Sequence, residues 1–179
     1  MKKKQIDVID YISEIIKSVK KGALITTKSG EEVNCMTIAW GQIGIEWNRL
    51  IFTTFVRTGR HTHKMLEDSG EFTLNIGMDG KVGKILSFCG TKSGAEIDKV
   101  SELGLTLVPG TDINAPGIKE LPLTLECKII YSQLQDKTRI PPNIKAANYP
   151  QDVPGSYPGS NRDYHTMFFG EIVGAYMVE

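Results

Sequence analysis

The stretch Leu50-Ile51-Phe52-Thr53-Thr54-Phe55-Val56-Arg57-Thr58-Gly59-Arg60-His61-Thr62-His63, followed by KMLEDSGEFTLNI (64–76), decides the fold. Leu50 to Val56 is dense in β-branched and aromatic residues and reads as a strand. Lys64 to Asp68 carries a short helical pattern that stops at Ser69-Gly70, and Phe72 to Ile76 reads as the next strand. Two arginines, two threonines, two histidines and a glycine therefore sit where a strand hands over to a helix N-terminus. Free backbone N–H groups and the positive end of the helix dipole favour an anion there. Arginine adds a planar fork suited to phosphate oxygens, and Gly59 lets the backbone come close. Two readings stand side by side: a solvated basic loop, or a phosphate site.

Toward the N-terminus, residues 6–20 carry Ile6, Ile9, Ile12, Ile16 and Val19 at spacings of three and four, which predicts an amphipathic packing helix. Asp7 and Asp10 lie early, Lys17, Lys20 and Lys21 late, and Gly22 supplies a stop. Ala23 to Thr27 and Val33 to Trp40 read as hairpin partners around Lys28-Ser29-Gly30-Glu31. Gly41 to Asn48 reads as a connection. Toward the C-terminus, Lys81 to Phe88 reads as helical. Ser93 and Glu96 stand at capping-box spacing, predicting a helix from Gly94 to Leu103. Leu123 to Tyr131 and Thr166 to Met177 complete six strands. Strands joined by hairpin-like turns predict a mainly antiparallel sheet, closed or nearly closed into a barrel, with helices outside. Residues 133–164 carry five of the eight prolines and show no lasting period. Such an excursion fits a cover over a site or a partner subunit.

At 179 residues the chain is long enough for one domain with a proper core. Its 21 Lys+Arg balance 21 Asp+Glu, which argues against a dedicated nucleic-acid binder. Cys35, Cys89 and Cys127 form no CxxC pair, so neither a zinc site nor a disulfide framework is expected, and a reducing cytoplasm fits. The start MKKKQIDVID lacks the apolar run of a signal peptide, and no segment reaches the roughly 20 apolar residues of a bilayer span.

Several segments in order carry a resemblance. They are Lys21-Gly22-Ala23 leading into Thr26-Thr27; Asn34-Cys35-Met36-Thr37-Ile38-Ala39-Trp40-Gly41; Val56-Arg57 through Thr62; Ser69-Gly70-Glu71-Phe72; Ser93-Gly94 through Asp98-Lys99; Glu126-Cys127; and Tyr164-His165 through Glu171-Ile172-Val173. The chain resembles the flavin reductase-like proteins with an FMN-binding split barrel, the group that includes flavoredoxin. The resemblance implies a six-stranded antiparallel split β-barrel with Greek-key connections and peripheral helices. It implies a homodimer with one FMN per subunit. Asn34, Met36, Thr37, Ile38, Ala39 and Trp40 would line the isoalloxazine ring; Arg57, Gly59, Arg60 and Thr62 would form the phosphate loop; Ser93 and Lys99 would contribute beside it. His165 would approach the flavin from the last strand.

Many members read Arg-Pro-Ser-Arg-Tyr-Thr in the phosphate loop, where this chain reads Arg57-Thr58-Gly59-Arg60-His61-Thr62. The serine hydroxyl is lost, and Thr58 or His61 is left to replace it. A hydrogen bond to a charged partner is worth about 1.5–3 kcal/mol, so an uncompensated loss weakens FMN binding roughly tenfold or more. No triad or acid–base dyad stands out, and none is needed where a flavin supplies the chemistry. His165 and Trp40 each admit a packing role as well as a cofactor contact; Trp47 reads as a core or interface aromatic, and Cys35 as an inert buried thiol. Three functions follow. The first is an NAD(P)H-dependent flavin reductase passing electrons through FMN to an acceptor. The second is a non-catalytic FMN-binding electron carrier reduced by a partner protein. The third is a binding barrel without flavin.

Overall fold

The computed structural model describes residues 1–78, 80–153 and 160–179. In chain order the elements are β1 (Lys3–Gln5), α1 (Val8–Lys21), β2 (Ala23–Ser29), β3 (Glu32–Ile38), β4 (Gly41–Glu46), β5 (Arg49–Arg57), α2 (His61–Ser69) and β6 (Glu71–Ile76). There follow α3 (Gly83–Thr91), α4 (Lys99–Leu103), β7 (Leu107–Val108), β8 (Gly117–Ile118), β9 (Leu123–Leu134), α5 (Pro142–Asn148) and β10 (His165–Val178).

Local chemistry explains the boundaries. The Asp7 carboxylate accepts the Ile9 N–H at 2.9 Å and opens α1, and the Gly22 N–H closes it on the Ser18 and Val19 carbonyls. The buried face of α1 is Val8, Ile15 and Val19, whereas Ile9 and Ile16 point to solvent. Apolar residues lie on more than one side of this helix, so spacing alone placed Val19 and Ile6 correctly but Ile9 and Ile16 on the wrong side. Helix α2 ends where Gly70 turns left-handed at φ 69°, a conformation that costs glycine little.

The main sheet has eight strands in the order β3-β2-β6-β9-β10-β5-β4, with β1 also paired to β10, and its pairings are antiparallel. This corrects the expected six-stranded split barrel: the sheet is larger, and it is not closed, because β3 and β4 end the order without pairing to each other. They are consecutive in sequence, yet the chain breaks at Ala39-Trp40 and β4 turns to pair with β5 instead. The supposed connection 41–48 is thus a strand plus a two-residue turn. Trp47 and Asn48 adopt φ 51° and 58°, the left-handed pair of a tight hairpin without the usual Asn-Gly signature.

The inner face of the sheet packs Phe52, Phe72, Leu74, Leu125 and Phe168 with Ile15 and Val19 of α1. The outer face packs Leu24 and Cys35 against Cys89 of α3 and Leu105, Ile118 and Leu121. Further corrections concern helices. Helix α3 starts two residues later than expected and runs on to Thr91. The helix expected from Gly94 begins at Lys99, because Asp98 rather than Ser93 accepts the first free N–H groups, those of Val100 and Ser101. The 133–164 excursion carries a helix of its own, α5, with Pro142 in its first turn; residues 154–159 lie outside the described residues. No helix among the described residues is long and apolar enough to cross a membrane.

Candidate functional site

The unclosed side of the sheet carries a cleft. A cavity of about 170 Å³ is lined by Met36, Thr37, Ile38, Ala39, Trp40, Phe55, Arg57, Arg60 and His165. It lies where the end of β3 faces the β5–β10 pair. Strand β3 has one unpaired edge. The Cys35 carbonyl is turned out along that edge and accepts Lys99 Nζ at 2.8 Å. By the two-residue period of an antiparallel ladder, the N–H and C=O of Thr37 point the same way. The cleft thus offers backbone donors and acceptors at a strand edge, with aromatic walls at Trp40 and Phe55.

A second, narrow lobe is lined by Met36, Arg60, His61, Thr62, Lys92, Ser93, Gly94 and Lys99. It shares Met36 and Arg60 with the first, so the two lie side by side. This end is cationic. Lys99 is 3% exposed, and its ammonium bonds only the carbonyls of Cys35 (2.8 Å) and Cys89 (3.4 Å), with no carboxylate partner among the described residues. Burial holds the Lys99 ammonium below the ordinary lysine range, and burial likewise lowers Arg60. Helix α2 starts here with no side-chain cap; the His63 N–H bonds the Arg60 carbonyl at 2.9 Å, and the N–H groups of His61 and Thr62 have no partner among the described residues. Asn34 braces the lobe by donating to the Thr62 hydroxyl at 2.8 Å, and Gly94 lies so close that a Cβ would stand 2.6 Å from Asn34 Cγ. His61 turns away to Glu32 at 2.6 Å.

Arg57 does something different. Its guanidinium donates to the carbonyls of Asn161 (3.1 Å), Asp163 (2.6 Å) and Asn148 (3.0 Å), and it lies 5.0 Å from the centre of the Tyr149 ring. It ties the excursion to the end of β5. The Gly59 N–H donates to the Asp163 carboxylate at 2.7 Å, so a carboxylate already sits on that part of the loop.

His165 opens β10, is 7% exposed, and stacks obliquely on Trp40 with ring centres 4.7 Å apart. Burial, together with the charges of Arg57 and Arg60 and against that of Asp163, pushes its pKa down to about 4. The imidazole is therefore neutral at pH values near neutrality. Tyr149 Oη donates to Gln135 at 2.8 Å and lies 2.8 Å from His165 Nδ1. With the phenolic proton committed to Gln135, Nδ1 carries the imidazole proton and Nε2 is left as an acceptor.

Of the residues singled out in the sequence, Met36, Thr37, Ile38, Ala39, Trp40, Arg57, Arg60 and His165 line the wider lobe, and Arg60, Thr62, Ser93 and Lys99 the narrower one. Asn34 stands behind Thr62, and Gly59 faces Asp163. Phe55, Lys92, Gly94, Tyr149 and Asp163 were not picked out. Phe55 reads as core in a β pattern, and Lys92 and Gly94 flank a serine that was. Tyr149 meets Arg57, and Asp163 meets Gly59, across long sequence separations, 104 residues for the latter, so no local pattern marks them.

A family model described as "Flavin reductase like domain" matches residues 19–179. An uncharacterized protein of Archaeoglobus fulgidus is 29% identical over 100 residues, covering 56% of this chain and 55% of that protein. The chain thus matches little more than half the length of that curated relative. Among solved structures, the flavoredoxin of Desulfovibrio vulgaris (Miyazaki F) superposes with TM-score 0.65 at 23% identity, over 88% of this chain and 69% of that one. Flavoredoxin from Methanosarcina acetivorans superposes with TM-score 0.63 at 24% identity, over 88% and 68%.

Proposed function

Because the chain belongs to the flavin reductase like family, we propose that it binds FMN in the groove between Trp40 and Lys99 and serves as a flavoredoxin-like electron carrier reduced by a partner protein. One observation carries this reading: a backbone-edged, aromatic-walled lobe adjoins a narrower one where the buried Lys99 ammonium has no carboxylate partner among the described residues and Arg60 stands beside it. That polarity matches a planar heterocycle joined to a phosphate. The residues fit the group, since Lys99, Arg60 and the uncapped start of α2 all call for an anion.

Bound there, FMN supplies the hydride and electron transfer itself. The chain's residues bind and orient. Trp40 and Phe55 bound the ring lobe, the free edge of β3 hydrogen-bonds polar ring atoms, and Lys99, Arg60 and Thr62 hold the phosphate. Arg57 and Gly59 hold the excursion against the ring end. His165 is a neutral acceptor rather than an acid, so it orients rather than transfers a proton.

A second reading, reduction by NADH or NADPH, is favoured by a cavity of about 380 Å³ lined by Ile16, Val19, Lys20, Ala39, Trp40, Gly41, Gln42, Phe55 and Gln135. It meets the ring lobe at Ala39, Trp40 and Phe55, leaving room for a second molecule. A homodimer belongs to the same proposal, with Ile45, Trp47 and Tyr131, all exposed, as apolar surface for a partner copy. The test is titration with FMN and riboflavin, then rapid mixing of the loaded protein with NADH, NADPH or a reduced ferredoxin-type donor. Tighter binding of FMN than riboflavin and bleaching only by the protein donor are expected. Equal affinities would remove the phosphate assignment. Bleaching by a nicotinamide within seconds would transfer the chain to the reductase reading.

A further inference from the structure

From the outer face of β3 and the facing side of α3, we infer that Cys35 and Cys89 are the two halves of a reversible disulfide, formed by a small peroxide and opened by a dithiol. This inference stands apart from the FMN reading.

The thiols are 54 residues apart in sequence but their sulfurs are 3.5 Å apart in the fold, both without solvent exposure. The sulfurs are thus in van der Waals contact, and bonding them closes the gap to an S–S length of about 2.05 Å. The two positions are also joined through Lys99, whose ammonium bonds the carbonyls of both cysteines. The hydrogen bond from Cys35, helped by the Lys99 charge, holds the Cys89 thiol below the ordinary cysteine range, while that same contact and burial raise the Cys35 thiol against the pull of Lys99. The pair is therefore asymmetric, with one nucleophile and one resolving thiol. Cys127, alone in the other core cluster, has no such partner, and burial pushes its thiol up.

Both sulfurs are buried and line neither lobe of the groove, so a peroxide reaches them through transient opening of α3 from β3. The Cys89 thiolate attacks one peroxide oxygen. The O–O bond breaks, and the leaving hydroxide takes up the proton Cys89 had lost, giving water. Cys35 then attacks the Cys89 sulfur of the resulting sulfenic acid. The S–S bond forms, the S–O bond breaks, and hydroxide leaves with the Cys35 proton as a second water. Two thiols and one hydrogen peroxide give one disulfide and two waters. A dithiol reverses it by thiol–disulfide exchange.

The experiment treats the purified protein with graded hydrogen peroxide, denatures it, alkylates it and measures its mass, alongside a Cys127→Ser variant. One alkylated thiol per chain, a cross-linked peptide pair containing Cys35 and Cys89, and full recovery of three thiols with dithiothreitol are expected. The Cys127→Ser variant should form the same link. The oxidised form should melt about 10 °C higher, because the link closes a long loop of the unfolded chain. Three alkylatable thiols at a peroxide dose that already oxidises the exposed Met1 and Met78 would overturn the inference. So would sulfinic acid at Cys89 without a cross-link, or links formed only between chains.

Discussion

Replacing Lys99 by methionine isolates the anion end of the groove from the rest of the molecule. The side chain is 3% exposed, its ammonium has two carbonyl acceptors and no carboxylate, and burial already disfavours its charge. In the free protein the substitution has opposing effects. Leaving the Cys35 and Cys89 carbonyls unpaired costs about 1–3 kcal/mol, while removing an unneutralised buried charge of similar length returns a comparable amount. Stability of the ligand-free protein should move by no more than about 1 kcal/mol, a shift of roughly 2–4 °C in Tm for a chain of this size. Binding has no such compensation. A charge-assisted hydrogen bond to phosphate contributes about 1.5–3 kcal/mol, so Kd for FMN should rise about 10- to 150-fold. Riboflavin, which lacks the phosphate, should bind Lys99→Met and wild type within about a factor of two, since it never felt that contribution. Quenching of flavin fluorescence reads both constants, and a thermal melt reads stability. If FMN and riboflavin weaken equally, Lys99 props up the groove rather than meeting a phosphate. If neither weakens while Tm falls steeply, its bonds to Cys35 and Cys89 are purely structural.

The buried His165 predicts an acid-sensitive fold. Its folded-state pKa of about 4 lies below the ordinary 6.5, so the unfolded chain takes up the proton first and stability falls as pH drops from about 6.5 toward 4. Between about pH 7 and about pH 5 the loss should be about 2 kcal/mol, and His165→Gln should flatten that limb in urea titrations; an unchanged slope would remove His165 as its source. Gly94→Ala places a methyl against Asn34, which holds Thr62. It should destabilise by about 1–3 kcal/mol and weaken FMN binding more than riboflavin binding, and wild-type behaviour in both would show that this contact relaxes freely.

The sequence made the strands β2, β5, β6, β9 and β10 legible because each carries a run of apolar or alternating residues whose period is local. The segment Arg57 to Thr62 allowed an anion-seeking reading beside that of a solvated basic loop, because a strand end, a glycine, basic residues and a helix start are neighbours in the chain. What the pattern could not reveal was how Arg57 is spent. Its three carbonyl acceptors belong to residues 148–163, and only the folded chain brings them to β5. The same holds for Lys99, whose role depends on the turned-out carbonyl at Cys35. Strand β4 was missed because Gly41, Gly44 and a mostly exposed surface erase the alternation that marks a half-buried strand. The size and openness of the sheet escaped because closure depends on whether the two last strands meet, which no single segment encodes.

That openness has a consequence for how the chain behaves in a crowded solution. Two strand edges with unmet N–H and C=O groups are templates on which a stray extended segment can add itself. At β3 the edge borders the proposed FMN groove, so proline, a bulge or a row of lysines there would alter the groove's lining. At β4 the guard is thin: Ile45 is 76% exposed, Glu46 is the one charge on the strand, and Trp47 stands bare at the turn. A partner copy lying on β4 and a small molecule lying on β3 would each shield one edge. Occupancy and assembly then act as solubility devices, and the empty single chain is the form most exposed to wrong β-pairing.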